Sequence, residues 1–270
     1  MIAMALAQDP DVLIADEPTN ALDVRIQKQV LDLMKQQCES RGMSLVIITH
    51  DLGVISNYTD RIIIMYAGKI VEESTRLKLF DQPLHPYTQG LLDCLPKLGH
   101  SGERIPKDHR WATANSRATP FPGVQISPTM LFYRTGLYSG DNPPWCLSNG
   151  ADLPVSIGKV SSDFPIMATL VETRGLTKQF SQGFFSSQKT TALEGVTISV
   201  ESGETVGLVG ESGSGKSTLA LSIARLLQVD SGQIFFDGDD ITGFTANQMR
   251  PLRKAFSLCS KIPIRHLIRE

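Results

Sequence analysis

The order of two segments along the chain is the feature that most limits the folds that this sequence can adopt. Residues 12–15 (Val-Leu-Ile-Ala) form a short apolar run that is followed by two acids, Asp16 and Glu17. A glycine-rich loop, Gly-x-x-x-x-Gly-Lys-Ser at residues 210–217, lies far downstream, directly after the apolar run of residues 205–209. Continuous apolar runs of this length are typical of parallel strands that are buried on both faces. If both segments serve one site, strands from opposite ends of the chain must pack together.

Both halves of the chain show the strand-helix alternation of an α/β protein. Short apolar runs predict buried strands at residues 12–15, 44–49, 61–66 and 205–209. Residues 169–172 predict a further strand, and residues 232–238 predict a strand and turn. Asp23 is predicted to cap a helix that runs to about residue 40, and Gly42 is predicted to end that region. The apolar face of this helix is predicted to carry Ile26, Val30 and Leu33.

Composition limits the classes of function. The chain has 270 residues, of which 41% are hydrophobic and 20% are charged, as in soluble globular proteins. The net charge of −2 gives no basis for nucleic-acid binding by bulk electrostatics. The four cysteines are far apart and show no metal-binding spacing, which favours unpaired thiols in a reducing cytosol. We find no apolar run long enough to span a bilayer and no basic leader typical of a signal peptide.

The pattern divides the chain into four parts. Residues 1–99 and 167–256 carry regular strand and helix periodicity. Residues 100–166 are rich in Pro, Ser, Thr, Gly and Asn and predict a linker. Residues 257–270 show no clear pattern and are interpreted as a divergent tail.

The glycine-rich loop has the features of a P-loop, because it follows a predicted strand and opens a predicted helix. Its backbone N–H groups and the positive end of the helix can surround the β- and γ-phosphates of a nucleotide. Lys216 would supply a positive charge to these phosphates, and the Ser217 hydroxyl would be a ligand for Mg²⁺. The predicted nucleotide-binding residues of the loop are Gly210, Glu211, Ser212, Gly213, Ser214, Gly215, Lys216, Ser217 and Thr218.

Two acids and a histidine are the candidate catalytic groups. Asp16 is suited to hold Mg²⁺ through water, and Glu17 to polarise the attacking water. His50 ends the next predicted strand, where its imidazole could contact the γ-phosphate. A carboxylate pair or a single histidine is by itself weak evidence for a catalytic site. The residues that flank these groups strengthen the catalytic interpretation of both.

Together these segments resemble the ATP-binding subunits of ABC transporters. Asp16 and Glu17 resemble the end of the Walker B strand with its catalytic glutamate, His50 the switch histidine, and residues 210–218 the Walker A loop. The resemblance implies a nucleotide contact for Asp23, in the Ala-Leu-Asp segment that resembles the D-loop. It also implies that Phe180 stacks on adenine, although Phe184 and Phe185 compete for this role.

The His-Pro-Tyr-Thr run at residues 85–88 narrows the resemblance to the dipeptide and oligopeptide importers. The chain resembles the tail of one nucleotide-binding domain joined to the head of a second, as in tandem-fused importer ATPases. The implied fold is an incomplete P-loop NTPase (RecA-like) core of the ABC ATPase type, with its helical subdomain largely missing. The signature loop Leu-Ser-Gly-Gly-x-x-Gln would precede Met1, and no Q-loop glutamine follows Phe256 where the family places it.

The resemblance implies an ATP-binding and ATP-hydrolysing component of a di- or oligopeptide importer, with ATP and Mg²⁺ as cofactors. The implied partners are membrane permease subunits, a second ATP-binding domain and, indirectly, an extracytoplasmic solute-binding protein. Through the permeases the chain would sit on the inner, cytoplasmic face of the membrane. The alternatives are a remnant that at most binds nucleotide, and an importer ATPase for nickel or another small solute. A P-loop kinase or regulatory ATPase is disfavoured, since the D-loop and His-Pro-Tyr-Thr segments have no purpose there.

Two questions stay open at the level of sequence. Resemblance to the importers weakens after residue 107 and after residue 256, which either reflects a divergent linker and tail or translation out of the ancestral frame. The two half-domains either pack as a circular permutant around one sheet or remain independent fragments with exposed sheet edges. We expect the first arrangement, with Lys216 and Ser217 facing Asp16, Glu17 and His50.

Overall fold

The computed structural model describes residues 2–20, 22–95, 168–181 and 189–260. Its elements in the first half are α1 (Ile2–Leu6), β1 (Val12–Asp16), α2 (Val24–Arg41), β2 (Ser44–Thr49), α3 (Leu52–Tyr58), β3 (Arg61–Tyr66), β4 (Lys69–Thr75), α4 (Arg76–Asp81) and α5 (Pro86–Asp93). Those in the second half are β5 (Thr169–Ser181), β6 (Lys189–Glu201), β7 (Thr205–Val209), α6 (Lys216–Ile223), β8 (Ser231–Phe236), β9 (Asp239–Asp240), α7 (Ala246–Leu252) and β10 (Phe256–Ser260). The predicted linker at residues 100–166 lies outside the described residues, as do Phe184 and Phe185.

Strands from both halves alternate in one six-stranded sheet. Its order is β10-β1-β2-β7-β3-β4, so that β7 from the second half lies between two strands of the first. All neighbours are parallel except the final pair, β3 and β4. Every residue of β2 and β7 is buried, because the inner strands of a parallel sheet are covered on both faces. The expected permuted α/β core is therefore confirmed.

A second, antiparallel sheet packs against the first and has the order β6-β5-β8-β9. The largest buried apolar cluster joins the two sheets, and it includes Val12 and Val46 of the first half beside Val171 and Leu208 of the second. The helical subdomain of ABC ATPases has no counterpart among the described residues. Within those residues, none of the helices is both long and apolar enough to cross a membrane.

Helix α2 has the predicted ends but a different buried face. Asp23 caps it, with a carboxylate oxygen that accepts a hydrogen bond from the Ile26 N–H at 2.9 Å. Gly42 terminates it in the left-handed conformation, at φ 67°. The predicted apolar face was wrong for Ile26 and Leu33, which are exposed, whereas Val30 is partly buried against the core. The fully buried residues of the helix are Leu31, Met34 and Cys38.

The last described strand was not expected from the pattern. β10 pairs in parallel with β1 over its whole length, from Val12 opposite Phe256 to Asp16 opposite Ser260. The sequence showed no periodicity after residue 256, because an edge strand with one partner needs no continuous apolar run. Its residues are half-buried except for Cys259, which is buried.

A buried arginine links the two halves by its side chain. Arg61, at the start of β3, donates from Nε and Nη2 to the two carboxylate oxygens of Glu204, both at 2.8 Å. Its guanidinium also contacts Glu73 and donates to the Ser199 carbonyl at 2.7 Å. Burial alone would lower the pKa of Arg61, but the contacts with the two carboxylates outweigh it and raise that pKa. Arg61 is therefore a permanent cation at the junction of the halves.

Candidate functional site

The central strands of the six-stranded sheet bring the predicted site residues to one edge. β1, β2 and β7 are parallel neighbours, so their carboxyl ends lie side by side. Asp16 ends β1, His50 follows β2, and Gly210 follows β7. In open α/β sheets this edge is where ligands bind.

The glycines at the two ends of the loop are required by close backbone approach. A Cβ atom on Gly210 would lie 2.1 Å from the Met65 carbonyl oxygen. A Cβ atom on Gly215 would lie 2.3 Å from the Ala192 carbonyl oxygen, and Gly215 also has φ +102°. The loop thus follows a path that side chains at these two positions would block.

Lys216 lies beneath the loop and is buried. Its Nζ donates to the carbonyl oxygens of Gly210 at 2.7 Å and Glu211 at 2.6 Å, and it contacts Ser214 Oγ at 3.2 Å. Burial lowers the pKa of Lys216, and the negative charges of nearby acids, foremost Glu17, oppose this shift. A cation in this position can bind phosphate oxygens from inside the loop.

Asp16 and Ser217 come from opposite ends of the chain and lie near each other, where α6 packs against β1. Burial raises the pKa of Asp16, and the neighbouring Glu17 charge adds to this rise, while the Ser217 hydroxyl and the Lys216 charge oppose it. Mg²⁺ in nucleotide sites is held by one or two protein oxygens together with phosphates and water. The pair provides such oxygens, although no cluster of three or more metal-ligating side chains occurs in the described ranges.

Glu17 is oriented by two side chains. His50 Nδ1 lies 2.8 Å from Glu17 Oε1, and Asn20 Nδ2 donates to Glu17 Oε2 at 2.8 Å. The backbone of Glu17 has φ 50°, and its N–H donates to the Ile48 carbonyl at 2.9 Å. A non-glycine residue in this conformation is strained, and such strain is frequent at functional sites. Asn20 was missed by sequence reasoning, although its position three residues after Glu17 in a turn is a usable signal.

Two predicted ligand residues have structural roles in the described chain. Asp23 is the cap of α2, as described above. Phe180 lies on β5 and is half-buried, with Lys178 Nζ 5.5 Å from its ring centroid. Their predicted contacts with nucleotide stay predictions.

The remaining loop residues differ in exposure. Ser212 and Gly213 are exposed at the tip, whereas Ser214 is buried and its carbonyl accepts a hydrogen bond from the Gly68 N–H at 3.0 Å. Thr218 lies in the first turn of α6.

A tyrosine of the first half also reaches the loop. The Glu211 N–H donates to Tyr87 Oη at 3.1 Å, and Tyr87 is buried. Sequence reasoning used this residue only as part of the His-Pro-Tyr-Thr run. Nothing in the pattern indicated that its hydroxyl would contact a loop from the other half.

Comparison with known proteins gives two family matches. Residues 193–267 match the family described as "ABC transporter". Residues 71–121 match the family described as "Oligopeptide/dipeptide transporter, C-terminal region". These matches run past residues 108 and 257, where the out-of-frame hypothesis predicted that resemblance would stop. The domain boundaries themselves stay predictions.

Similar curated proteins share one description. The glutathione import ATP-binding protein GsiA of Salmonella paratyphi A is 37% identical over 259 residues, and that of Escherichia coli K12 is 34% identical over 255 residues. Each match covers 94% of this chain, and the chain spans 36% of the length of these relatives. A solved ATP-binding cassette, MJ0796 bound to ADP and Pi, is 27% identical, at TM-score 0.29, over 31% of this chain and 35% of that chain.

A P-loop follows β7 and falls within the first family match, and the His-Pro-Tyr-Thr run falls within the second. The Asp-Glu pair lies at the end of β1, which β2 separates from β7 in the same parallel sheet. A match to the ABC transporter family implies nucleotide binding. The chain therefore contains a segment of the ABC transporter family at residues 193–267 and a segment of the oligopeptide/dipeptide transporter C-terminal region at residues 71–121.

Proposed function

We propose that this chain binds ATP with Mg²⁺ at the edge formed by β1, β2 and β7. The observation that carries the proposal is the strand order β1-β2-β7, which brings Asp16 and the loop that follows β7 to one edge of the sheet. Asp16 and this loop come from opposite ends of the chain, and each belongs to a different half of the nucleotide-site motif. Their position at one edge supports one composite site rather than two unconnected fragments.

The side chains in this site would have distinct roles. Lys216 and the N–H groups of the loop would bind the β- and γ-phosphates. Ser217 and Asp16 would hold Mg²⁺, which neutralises charge on the phosphates when it is bound. Glu17, held between His50 and Asn20, would orient and polarise the attacking water. His50 would contact the γ-phosphate and keep Glu17 in place.

We further propose that the chain serves in the import of di- or oligopeptides. The match of residues 71–121 to the oligopeptide and dipeptide transporter region supports this substrate class over nickel or another small solute. Membrane permease subunits, a second ATP-binding domain and an extracytoplasmic solute-binding protein would be the partners. Contact with the permeases would place the chain on the cytoplasmic face of the membrane.

A second candidate function is nucleotide binding without turnover. The sequence contains no Leu-Ser-Gly-Gly-x-x-Gln run, the segment that in this family completes the ATP site of the facing domain. We therefore expect the purified chain to bind Mg-ATP, and expect hydrolysis to require a second domain that supplies this loop.

The test is equilibrium binding of Mg-ATP by the purified chain, followed by hydrolysis assays. Lys216→Ala should weaken binding at least about tenfold, because one charge-assisted contact is worth about 1.5–3 kcal/mol. Glu17→Gln should keep binding, since the carboxylate contributes to the water rather than to the phosphates. Lys35→Ala is the matched control, because Lys35 is on α2, far along the chain from the loop, and forms a partly exposed pair with Glu39 at 3.8 Å.

The outcomes separate the candidates. Hydrolysis that Glu17→Gln abolishes would establish an ATPase, while binding without hydrolysis would favour the second candidate. Absence of Mg-ATP binding by the unsubstituted chain, or equal affinity of the Lys216→Ala variant, would overturn the proposal.

A further inference from the structure

The first residue of the loop after Gly210 is anchored on both sides of its backbone. The Glu211 carbonyl accepts a hydrogen bond from Lys216 Nζ at 2.6 Å. The Glu211 N–H donates to Tyr87 Oη at 3.1 Å. The first anchor comes from within the loop, and the second comes from α5 in the other half of the chain.

The two anchors respond differently to a bound phosphate. The ammonium of Lys216 is the group that phosphate oxygens would attract, so its bonds to the loop carbonyls compete with phosphate binding. Tyr87 is only 2% exposed, and its hydroxyl accepts a hydrogen bond from the backbone N–H of Glu211. Its hydrogen bond does not compete for Lys216. Tyr87 can therefore hold Glu211 in place while Lys216 changes partners.

The Tyr87 hydroxyl is itself fixed in position. The Tyr87 ring packs on the Tyr66 ring, with centroids 4.7 Å apart. Its backbone N–H donates to His85 Nδ1 at 3.1 Å. The carboxylate of Glu72 accepts from the N–H groups of Leu84 and His85 at 2.8 and 3.0 Å. These contacts tie the start of α5 to β4.

We propose that Tyr87 is a positioning residue for the phosphate-binding loop, through which the His-Pro-Tyr-Thr segment sets the affinity for the nucleotide's polyphosphate chain. The inference rests on the proposed function and extends it to a contact between the two halves. The Gly68 N–H, which donates to the Ser214 carbonyl at 3.0 Å, is a second anchor from the first half. The Gly68 contact is made by a backbone group, so a side-chain substitution can remove only the Tyr87 contact.

We expect removal of the Tyr87 hydroxyl to weaken binding of the phosphate chain of the nucleotide. Tyr87→Phe removes one hydrogen bond and keeps the ring, so Mg-ATP binding should weaken by about 3- to 10-fold. Binding of inorganic tripolyphosphate with Mg²⁺ should weaken by the same factor, because the altered contact lies in the loop. Tyr66→Phe is the matched control, since it removes a hydroxyl from the partner ring and keeps the bond to Glu211. It should change both affinities less than about twofold.

Amide hydrogen exchange distinguishes a specific contact with the loop from a general role of Tyr87 in core packing. In Tyr87→Phe the Glu211 amide should exchange faster than in the unsubstituted chain, while amides of β2 and β7 keep their rates. The Tyr66→Phe variant should leave the Glu211 amide protected.

The outcomes are distinguishable from those for the proposed function. If the unsubstituted chain binds neither ATP nor tripolyphosphate, the proposed function fails and this inference falls with it. If it binds both and Tyr87→Phe binds them equally well, only this inference fails. If Tyr87→Phe accelerated amide exchange equally throughout the sheet, this inference would also be overturned. Tyr87 would then contribute only to packing of the core.

Discussion

At the scale of single residues, sequence spacing identifies the phosphate-binding loop, whereas the folded surroundings explain why two of its positions must be glycine. The spacing of Gly210, Gly215 and Lys216 was readable in the sequence and predicted a phosphate-binding loop. The reason that glycine is needed at both ends is the proximity of the Met65 and Ala192 carbonyls. Those neighbours come from β3 and β6, and only the folded chain places them there.

A pair of glycine substitutions tests this distinction. Gly213→Ala should cost about 1–2 kcal/mol, because Gly213 has φ +82° and open space around its Cβ position. Gly215→Ala should exceed that loss by about 1–3 kcal/mol, because its Cβ would also collide with a backbone oxygen. The free energy of unfolding by urea measures both, and equal losses would contradict the close approach.

At the scale of elements, the ends of helices were more predictable than their faces. Caps at Asp23 and Gly42 depend on local chemistry, and both are confirmed. The buried face of α2 depends on what lies next to it, and α2 packs mainly through Leu31 and Met34, while Val30 is the one predicted residue that is partly buried. β10 was missed for the same reason, since its pairing with β1 depends on the tertiary structure.

Helix α5 should make the stability of the fold depend on pH. His85 Nδ1 accepts the Tyr87 N–H, which requires an unprotonated nitrogen, and burial lowers the pKa of His85 against the opposing Glu72 charge. As pH falls below about 6.5, the unfolded chain takes up this proton before the folded chain does. The stability that neutral His85 contributes is therefore complete above that pH and is lost towards the lower, folded pKa.

The measurement is the free energy of unfolding at pH 7.5 and pH 5.5 for the unsubstituted chain and for His85→Asn. Asparagine keeps an oxygen acceptor at the helix cap and does not titrate in this range. We expect the variant to lose less stability between these pH values. An identical loss in both proteins would show that other groups cause the dependence.

At the scale of the whole molecule, the two halves share a sheet, an apolar cluster and a buried ion pair. β7 pairs with β2 and β3, so neither half alone contains a complete sheet. Arg61 adds a polar link to Glu204, and both side chains are only 8% exposed. Because buried charges are costly when unpaired, this link makes the association of the halves sensitive to a single substitution.

Replacement of two arginines compares a buried and an exposed pair of similar geometry. Arg61→Met leaves Glu204 and Glu73 without their cation and should cost about 3–5 kcal/mol of folding stability. Arg174 donates to both oxygens of Glu172 at 2.7 and 2.8 Å but is exposed, so Arg174→Met should cost far less. Denaturation by urea measures the difference, and similar losses would show that Arg61 does not link the halves energetically.

Much of the fold and of the site could be read from the sequence alone. The buried strands, the helix caps, the P-loop and the Asp16-Glu17 pair all depend on local patterns, in which neighbouring residues carry the chemistry. They determined an α/β chain of the ABC ATPase type and the residues with which it would bind phosphate.

Only the tertiary structure decided how the two halves meet. The position of β7 between β2 and β3, the proximity of Asp16 to Ser217, and the contacts of Arg61 and Tyr87 join residues far apart in the chain. No local pattern specifies such pairs, because the energy of a contact depends on burial and on neighbours that the fold supplies.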